Sequence, residues 1–387
     1  MSGETILAQD YVVVGESPDP ENVYLGSPGI ARLDSDRLVA TYEYFKRNEL
    51  KLKPSEFAGN CFIKTSDDRG LTWDHRANLT VKWPTPFSVG ETLYIVGVEQ
   101  GDFPMIISRS DDGGLSWSEP VKLFPGRYYT APTPLVFRDN KVYKAWEWSE
   151  GPMDGRRIDS QIAVGDLSKD LTETTSWRLS NKVPYPGDVP MMNFAVHNPH
   201  SDPPWDHATG WLEGNMVYIR GKTRVILRMW PHGPSNIGGV CTLTEDGDDL
   251  RLDFDWYTSM PGGVCKFYIL YDEESDLCWM TANQPTDHLQ SIAALWDRGF
   301  VGVPANERRI LNLYYSLDAL NWFHAGTVAM SRNPLESFSY PSMLIDGEDL
   351  LVLSRTSDGG KNQHDTNLVT LHRVSDFRSL ALDLHPV

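Results

Sequence analysis

Ser66-Asp67-Asp68-Arg69-Gly70-Leu71-Thr72-Trp73 reads S-x-D-x-G-x-T/S-W, and Ser110-Asp111-Asp112-Gly113-Gly114-Leu115-Ser116-Trp117 reads the same way. A shortened echo, Ser316-Leu317-Asp318-Ala319-Leu320-Asn321-Trp322, follows late in the chain. The phrase describes a turn between two strands. Its first Ser ends a strand, and its Asp accepts hydrogen bonds from turn N–H groups. Its Gly takes a positive φ, and its Trp opens the return strand and packs beneath the turn. A repeated turn of this kind predicts a repeated β unit.

Around these turns the chain alternates strand, tight polar turn and strand. Six inner hairpins can be read, with turns at Asp34-Ser35-Asp36, Gly90-Glu91, Asp139-Asn140, Arg220-Gly221-Lys222, Asp272–Asp276 and Asp346–Asp349. Their strands alternate apolar and polar residues or are largely apolar. An outer pair of strands follows each hairpin. The last outer strand, Thr366 to Val374, lacks a partner that Ile6 to Val14 can supply, which removes two exposed edges. The expectation is one all-β domain over residues 1–387, a six-bladed β-propeller closed by its N- and C-terminal strands. A seventh blade would have to lie in the poorly patterned stretch 181–210.

At 387 residues, with 31 Gly and 26 Pro, the chain is long enough for a sizeable core and rich in turns. Its 13 Trp and 16 Tyr suit strands, and also sugar stacking. The net charge of −18 argues against nucleic acid and anionic membrane surfaces as partners. It leaves room for an anionic substrate held by a few convergent cations. No apolar run is long enough to span a membrane, and residues 1–24 hold no signal-peptide core. Secretion is the expectation, with the leader absent from this chain; the Asn78-Leu79-Thr80 sequon has a use only there. Cys61, Cys241, Cys265 and Cys278 have no metal-ligand spacing. They read either as one or two disulfides or as buried thiols.

In a propeller the inner strands start, and the second strands end, on one face, so residues at those places converge on a central cavity. This places Glu147, Glu213, Asn215, Arg228, Lys266, Asn283, Tyr129, Tyr340, Arg355, His364 and Asp365 around one mouth. Arg228, Lys266 and Arg355 border apolar strands of different blades and suit a carboxylate. Salt bridges to Glu147 or Glu213 are the structural alternative. His364 suits a general acid or base, Tyr340 and Tyr129 a proton donor, nucleophile or sugar platform. Glu147 and Glu213 suit a carboxylate pair, hydroxyl ligands or counter-ions. His197, His200 and His207 lie in or just after a Pro-rich loop without zinc spacing, so neither metal nor cofactor is expected.

The two S-x-D-x-G-x-T/S-W turns, known as Asp-boxes, and the hairpin pattern resemble the sialidase-like (BNR-repeat) superfamily over nearly the whole chain. That resemblance implies an arginine triad, a Tyr–Glu nucleophile pair and an acid Asp. The family's first Arg stands two residues before the Pro that opens the first blade, and here that position is Gly26. Arg228 and Arg355 resemble the other two, and Tyr340 lies near the nucleophile's place. Gly210-Trp211-Leu212-Glu213-Gly214-Asn215, Pro261-Gly262-Gly263 with Lys266-Phe267, His364-Asp365-Thr366-Asn367, His372-Arg373 and Phe377-Arg378 are similar to polysaccharide-acting BNR-like propellers. Among propeller enzymes the chain is similar to the L-rhamnose-α-1,4-D-glucuronate lyases, exo-acting on gum arabic side chains. The resemblance implies β-elimination at a terminal sugar–uronate bond but places no catalytic residue; by the chemistry of that reaction, Arg228, Lys266 and Arg355 suit the carboxylate and His364 or a Tyr the proton transfer. A sialidase-type exo-glycoside hydrolase and a non-catalytic glycan-binding propeller are the other two readings.

Overall fold

The computed structural model describes residues 6–46, 61–151, 157–187, 210–230, 236–286, 297–298 and 307–383. Strand β1 (Val12–Glu16) comes first. Then β2 (Val23–Arg32), β3 (Leu38–Lys46), β4 (Cys61–Ser66) and β5 (Asp74–Leu79) pair in sequence order as one antiparallel sheet. Strands β6 (Lys82–Val89), β7 (Thr92–Val98), β8 (Met105–Ser110) and β9 (Val121–Phe124) form the next. No α-helix occurs among the described residues, and no helix there could cross a membrane.

The middle of the chain departs from the expected separate third and fourth blades. Strands β10 (Tyr128–Tyr129), β11 (Val136–Arg138), β12 (Lys141–Ser149), β13 (Ile158–Asp166) and β14 (Trp177–Leu179) share one nine-stranded sheet with β15 (Gly210–Ile219), β16 (Lys222–Trp230), β17 (Ile237–Asp246) and β18 (Asp249–Ser259). A single parallel contact, Ile158 with Gly210, fuses the two groups. The reason is steric: a Cβ on Gly210 would stand 2.7 Å from the Ile158 backbone nitrogen, so only glycine lets the strands touch. Among the described residues five sheets are therefore present where six were expected. The candidate seventh blade falls largely on residues 188–209, outside the described residues.

Strands β19 (Tyr268–Asp272), β20 (Leu277–Asn283), β21 (Ile310–Ser316) and β22 (Phe323–Met330) form the fourth sheet. The last sheet contains β23 (Ser337–Asp346), β24 (Asp349–Ser357), β25 (Leu368–Val374) and, on its outer side, β1. Val12 pairs with Leu371 and Glu16 with Leu368, so the two ends of the chain share one sheet as expected.

Successive units bury their faces against each other. Val39 and Ile63 of the first sheet pack with Leu93, Ile95 and Ile106 of the second. Val96 and Ile107 pack with Trp146, Ala163 and Trp177, and Ile162 with Trp211 and Val225. Val217 and Ile226 meet Ile269 and Met280; Trp279 and Leu311 meet Phe338, Val352 and Phe377. Leu25, Ile30 and Ala40 then pack with Leu351, Leu353 and Val369, joining the first sheet to the last. Each fully buried aliphatic side chain here contributes about 1.5–3 kcal/mol. The same junction is clamped by charge. Asp346 meets Arg373 at 2.7 Å, Arg69 at 2.9 Å and Arg32 at 3.5 Å.

The Asp-box turns form as the sequence requires. Asp68 accepts from the Thr72 N–H at 2.9 Å, and Asp112 from the Ser116 N–H at 2.9 Å. Gly70 and Gly114 take φ of 89° and 90°, and the indoles of Trp73 and Trp117 donate to their carbonyls. In the echo, Ala319 takes the positive φ of 61°. All four cysteines are free and buried.

Candidate functional site

Four of the inner strands share a kink. The register of β2 slips between Gly26 and Gly29, of β6 between Lys82 and Thr85, of β15 between Leu212 and Asn215, and of β23 between Ser339 and Ser342. Each bulge carries one non-glycine residue in the left-handed region: Ser27 (φ 52°), Trp83 (φ 55°), Glu213 (φ 54°) and Tyr340 (φ 51°). Such bulges re-aim side chains, and backbone held there by its surroundings is typical of sites.

Tyr340 is the hub. The guanidinium carbons of Arg308 and Arg355 lie 5.0 Å and 4.9 Å from its ring centre. Its phenol is also close enough to act on Arg228 and Tyr24. Arg355, in β24, is buried; its Nε donates to Thr366 Oγ1 at 3.1 Å and its Nη2 to the His364 carbonyl. Burial lowers its pKa, Tyr340 opposes that, and Arg308 adds to it. Arg228 Nη1 donates to Glu213 Oε2 at 2.6 Å, with both side chains buried. Against its burial, the Glu213 carboxylate holds Arg228 above the ordinary arginine value.

Arg308 is the residue sequence reasoning missed. It is buried just before β21, and its backbone N–H donates to Gln363 Oε1 at 2.7 Å. The signal was present: Arg308-Arg309 opens the apolar run Ile310-Leu311-Asn312-Leu313. Arg308 and Arg355 thus flank one tyrosine, with Arg228 near enough to feel its charge and Arg308 in the place expected for Lys266.

Lys266 lies beneath that tyrosine. It is buried, its Nζ donates to the Pro341 carbonyl, and burial pushes its pKa down to about 7. Lys144, also buried, donates to Thr130 Oγ1 and Thr133 Oγ1 at 2.9 Å each. Burial lowers Lys144 and raises its neighbour Glu147. Glu147 accepts from the Gly214 N–H at 2.8 Å, so it braces the Glu213 bulge from the adjoining strand group. Glu43 does the same beside the Trp83 bulge, accepting from the Trp83 N–H at 2.9 Å, and burial raises its pKa.

His364 and Asp365 stand together on the loop before β25. His364 Nδ1 lies 2.8 Å from Asp365 Oδ1, and the imidazole tilts against Tyr24 at 5.9 Å. Burial and the Arg355 guanidinium push His364 down to about 4, although 46% of its side chain is exposed. The imidazole is therefore neutral near pH 7, oriented by a carboxylate and open on one side.

The remaining expected residues serve the framework. The Asn215 amide donates to the carbonyls of Glu213 at 3.0 Å and Phe267 at 3.3 Å and accepts from the Ile269 N–H at 2.9 Å. Asn283 donates to the carbonyls of Phe338 at 2.7 Å and Ile310 at 3.0 Å. Tyr129 is buried against Trp83 and Phe103, at 5.4 Å and 5.9 Å. His197, His200 and His207 lie outside the described residues. Among the described residues no three His, Cys, Asp or Glu side chains are grouped to hold a metal.

No family model and no curated protein matches the sequence. Solved structures share its fold at low identity. The Hadza microbial sialidase Hz136 is similar with a TM-score of 0.59 at 16% identity, over 94% of this chain and 68% of that one. Trypanosoma rangeli sialidase gives 0.58 at 15%, over 98% of this chain and 60% of its own. A Penicillium chrysogenum α-L-arabinanase, solved with arabinobiose, gives 0.55 at 13%, over 95% and 98%. The fold of this chain is sialidase-like, all-β and built of antiparallel sheets.

Proposed function

We propose that the chain is a six-bladed propeller, its nine-stranded sheet being two blades joined at Gly210, and that it cleaves a terminal sugar–uronate bond by β-elimination. The carrying observation is the neutral, Asp365-oriented His364 beside Arg355. The proton removed in such a reaction sits on C5, next to the uronate carboxylate. Arg355, Arg308 and Arg228 supply cations for that carboxylate and for the charge that grows on it as the proton leaves. The bound carboxylate also offsets the push of Arg355 on His364, so substrate makes the imidazole a better base. His364 takes the C5 proton; its electron pair forms the C4=C5 double bond as the C4–O bond breaks. Tyr340 donates its phenolic proton to the departing oxygen. The products are an unsaturated uronate and the released sugar, with an anionic poly- or oligosaccharide as partner and a secreted location as its setting.

A second reading has its own observation. Glu213 and Tyr340 both occupy left-handed bulges, and Arg228 links them. That arrangement suits hydrolysis of an acidic sugar through a tyrosine nucleophile. Incubation with uronate-containing glycans, gum arabic included, and with a sialoside separates the readings. Released sugar with rising ultraviolet absorbance from the unsaturated uronate supports elimination. Release without absorbance supports hydrolysis; binding without release leaves a lectin. The expected result for Arg355→Ala is loss of turnover, and full activity in that variant removes Arg355 from the site.

A further inference from the structure

The inner strands carry a second concavity at the end away from Tyr340. A cavity of about 470 Å³ opens between β11, β15 and β19, lined by Phe137, Tyr218 and Tyr271 with Arg220 and Glu273. Glu213 and Tyr218 lie on one strand, five residues apart, so about 17 Å of extended chain separates the two mouths. Phe137 is 47% exposed and Tyr218 37%, in a chain where most large apolar side chains are buried.

Two of these rings are held in place by neighbours. The Arg138 guanidinium carbon lies 4.9 Å from the Tyr218 ring centre. Arg138 is itself fixed by Glu245 and by Thr223 Oγ1 at 3.1 Å. The Tyr271 hydroxyl donates to Asp276 at 2.7 Å. The aromatic faces are thus ordered before any ligand arrives, which lowers the entropy cost of binding.

We propose that this cavity is a non-catalytic subsite for a pyranose unit of a polysaccharide. A wholly apolar ligand would leave one side against water and the exposed Arg220 and Glu273. A pyranose has an apolar C–H face for the rings and hydroxyls on its edge for the charged rim. The site holds the polymer while the other mouth acts, and it stands whichever chemistry the Tyr340 mouth performs.

The test is calorimetric titration of the full chain with a uronate-containing disaccharide and with a neutral galactose disaccharide. In an Arg355→Ala background, at least one sugar is expected still to bind. Adding Phe137→Ala and Tyr218→Ala is expected to weaken that binding at least about fivefold, with an unchanged circular dichroism spectrum. Both residues are exposed, so the variants are expected to fold. Loss of all binding in Arg355→Ala, or unchanged affinity in the triple variant, overturns the proposal. Binding lost through Phe137 and Tyr218 in a protein that turns over no glycan upholds it while refuting the elimination reading.

Discussion

Arg355 holds its guanidinium carbon 4.9 Å from the centre of the Tyr340 ring while its own Nη2 grips the carbonyl of His364. One side chain therefore couples the proposed proton donor to the loop that carries the proposed base. A carboxylate that engages Arg355 would lie near both of the groups proposed to move protons.

Tyr340→Phe keeps the ring beside both arginines and removes only the phenol. The expected result is a kcat lower by roughly 10²–10⁴-fold with little change in KM, as for loss of a general acid. The melting temperature should stay within a degree or two. Steady-state kinetics with thermal denaturation checks both, and an unchanged kcat assigns the proton elsewhere.

His364 must be neutral to accept a proton. Its pKa is pushed down to about 4 in the free protein, so kcat/KM should stay flat across neutral pH and fall only as pH drops through about 4. Asp365→Asn removes an interaction that raises the His364 pKa, so its acidic limb should move to lower pH. His364→Gln should abolish elimination. A limb near 6.5 would mean that His364 titrates at the ordinary imidazole value or that another group is the base.

Lys266 makes stability depend on pH with a definite sign. Burial pushes its folded value to about 7 from an ordinary 10.5. As pH falls from about 10.5 to about 7, the unfolded chain gains a proton that the folded chain refuses, so the Lys266 contribution destabilises the fold over that window and levels off below it. Lys266→Met removes this component. The melting temperature of the wild type should therefore rise more steeply than that of Lys266→Met between pH 7 and pH 10. Parallel curves would mean that Lys266 is charged in the fold.

Asp346→Asn tests the closure between the first and last sheets. The substitution leaves Arg69, Arg373 and Arg32, all partly exposed, facing an amide, at an expected loss of about 1–2 kcal/mol, read by chemical denaturation. Against its burial, hydrogen bonds from Arg373 and Arg69 hold Asp346 below the ordinary carboxylate value. Its contribution is present above about pH 4 and lost as pH falls through the folded value, so the variant and the wild type should converge in stability in acid.

Local rules made the frame legible. The Asp-box needs only residues within one eight-residue stretch, and the six hairpin turns fall between strands where Gly, Asp and Asn predict them. The partnership of β1 with β25 followed from counting unpaired edges. The fusion at Gly210 was not legible, because it depends on how closely two distant backbones approach. Glu213, Tyr340, Arg228 and Arg355 were placed by strand position alone. Arg308 escaped although the loops from second to third strands were among the expected places, because its loop is long and no sequence rule says which of its residues turns back to the mouth. Asn215 and Asn283 stand at the right height in their strands, but buried amides bind whatever carbonyls surround them, and sequence does not show which. Lys144 was hidden in the strand run Val142-Tyr143-Lys144-Ala145-Trp146, where alternation gives no reason to expect a charge wrapped in hydroxyls and carbonyls.

The repeated bulge separates scaffold from chemistry. Ser27, Trp83, Glu213 and Tyr340 share a backbone conformation while differing in size, charge and reactivity. The kink is maintained by strand pairing and by braces such as Glu43 and Glu147, so it does not depend on the side chain it presents. Each bulge works as an interchangeable socket, one backbone shape that presents here a hydroxyl, an indole, a carboxylate or a phenol.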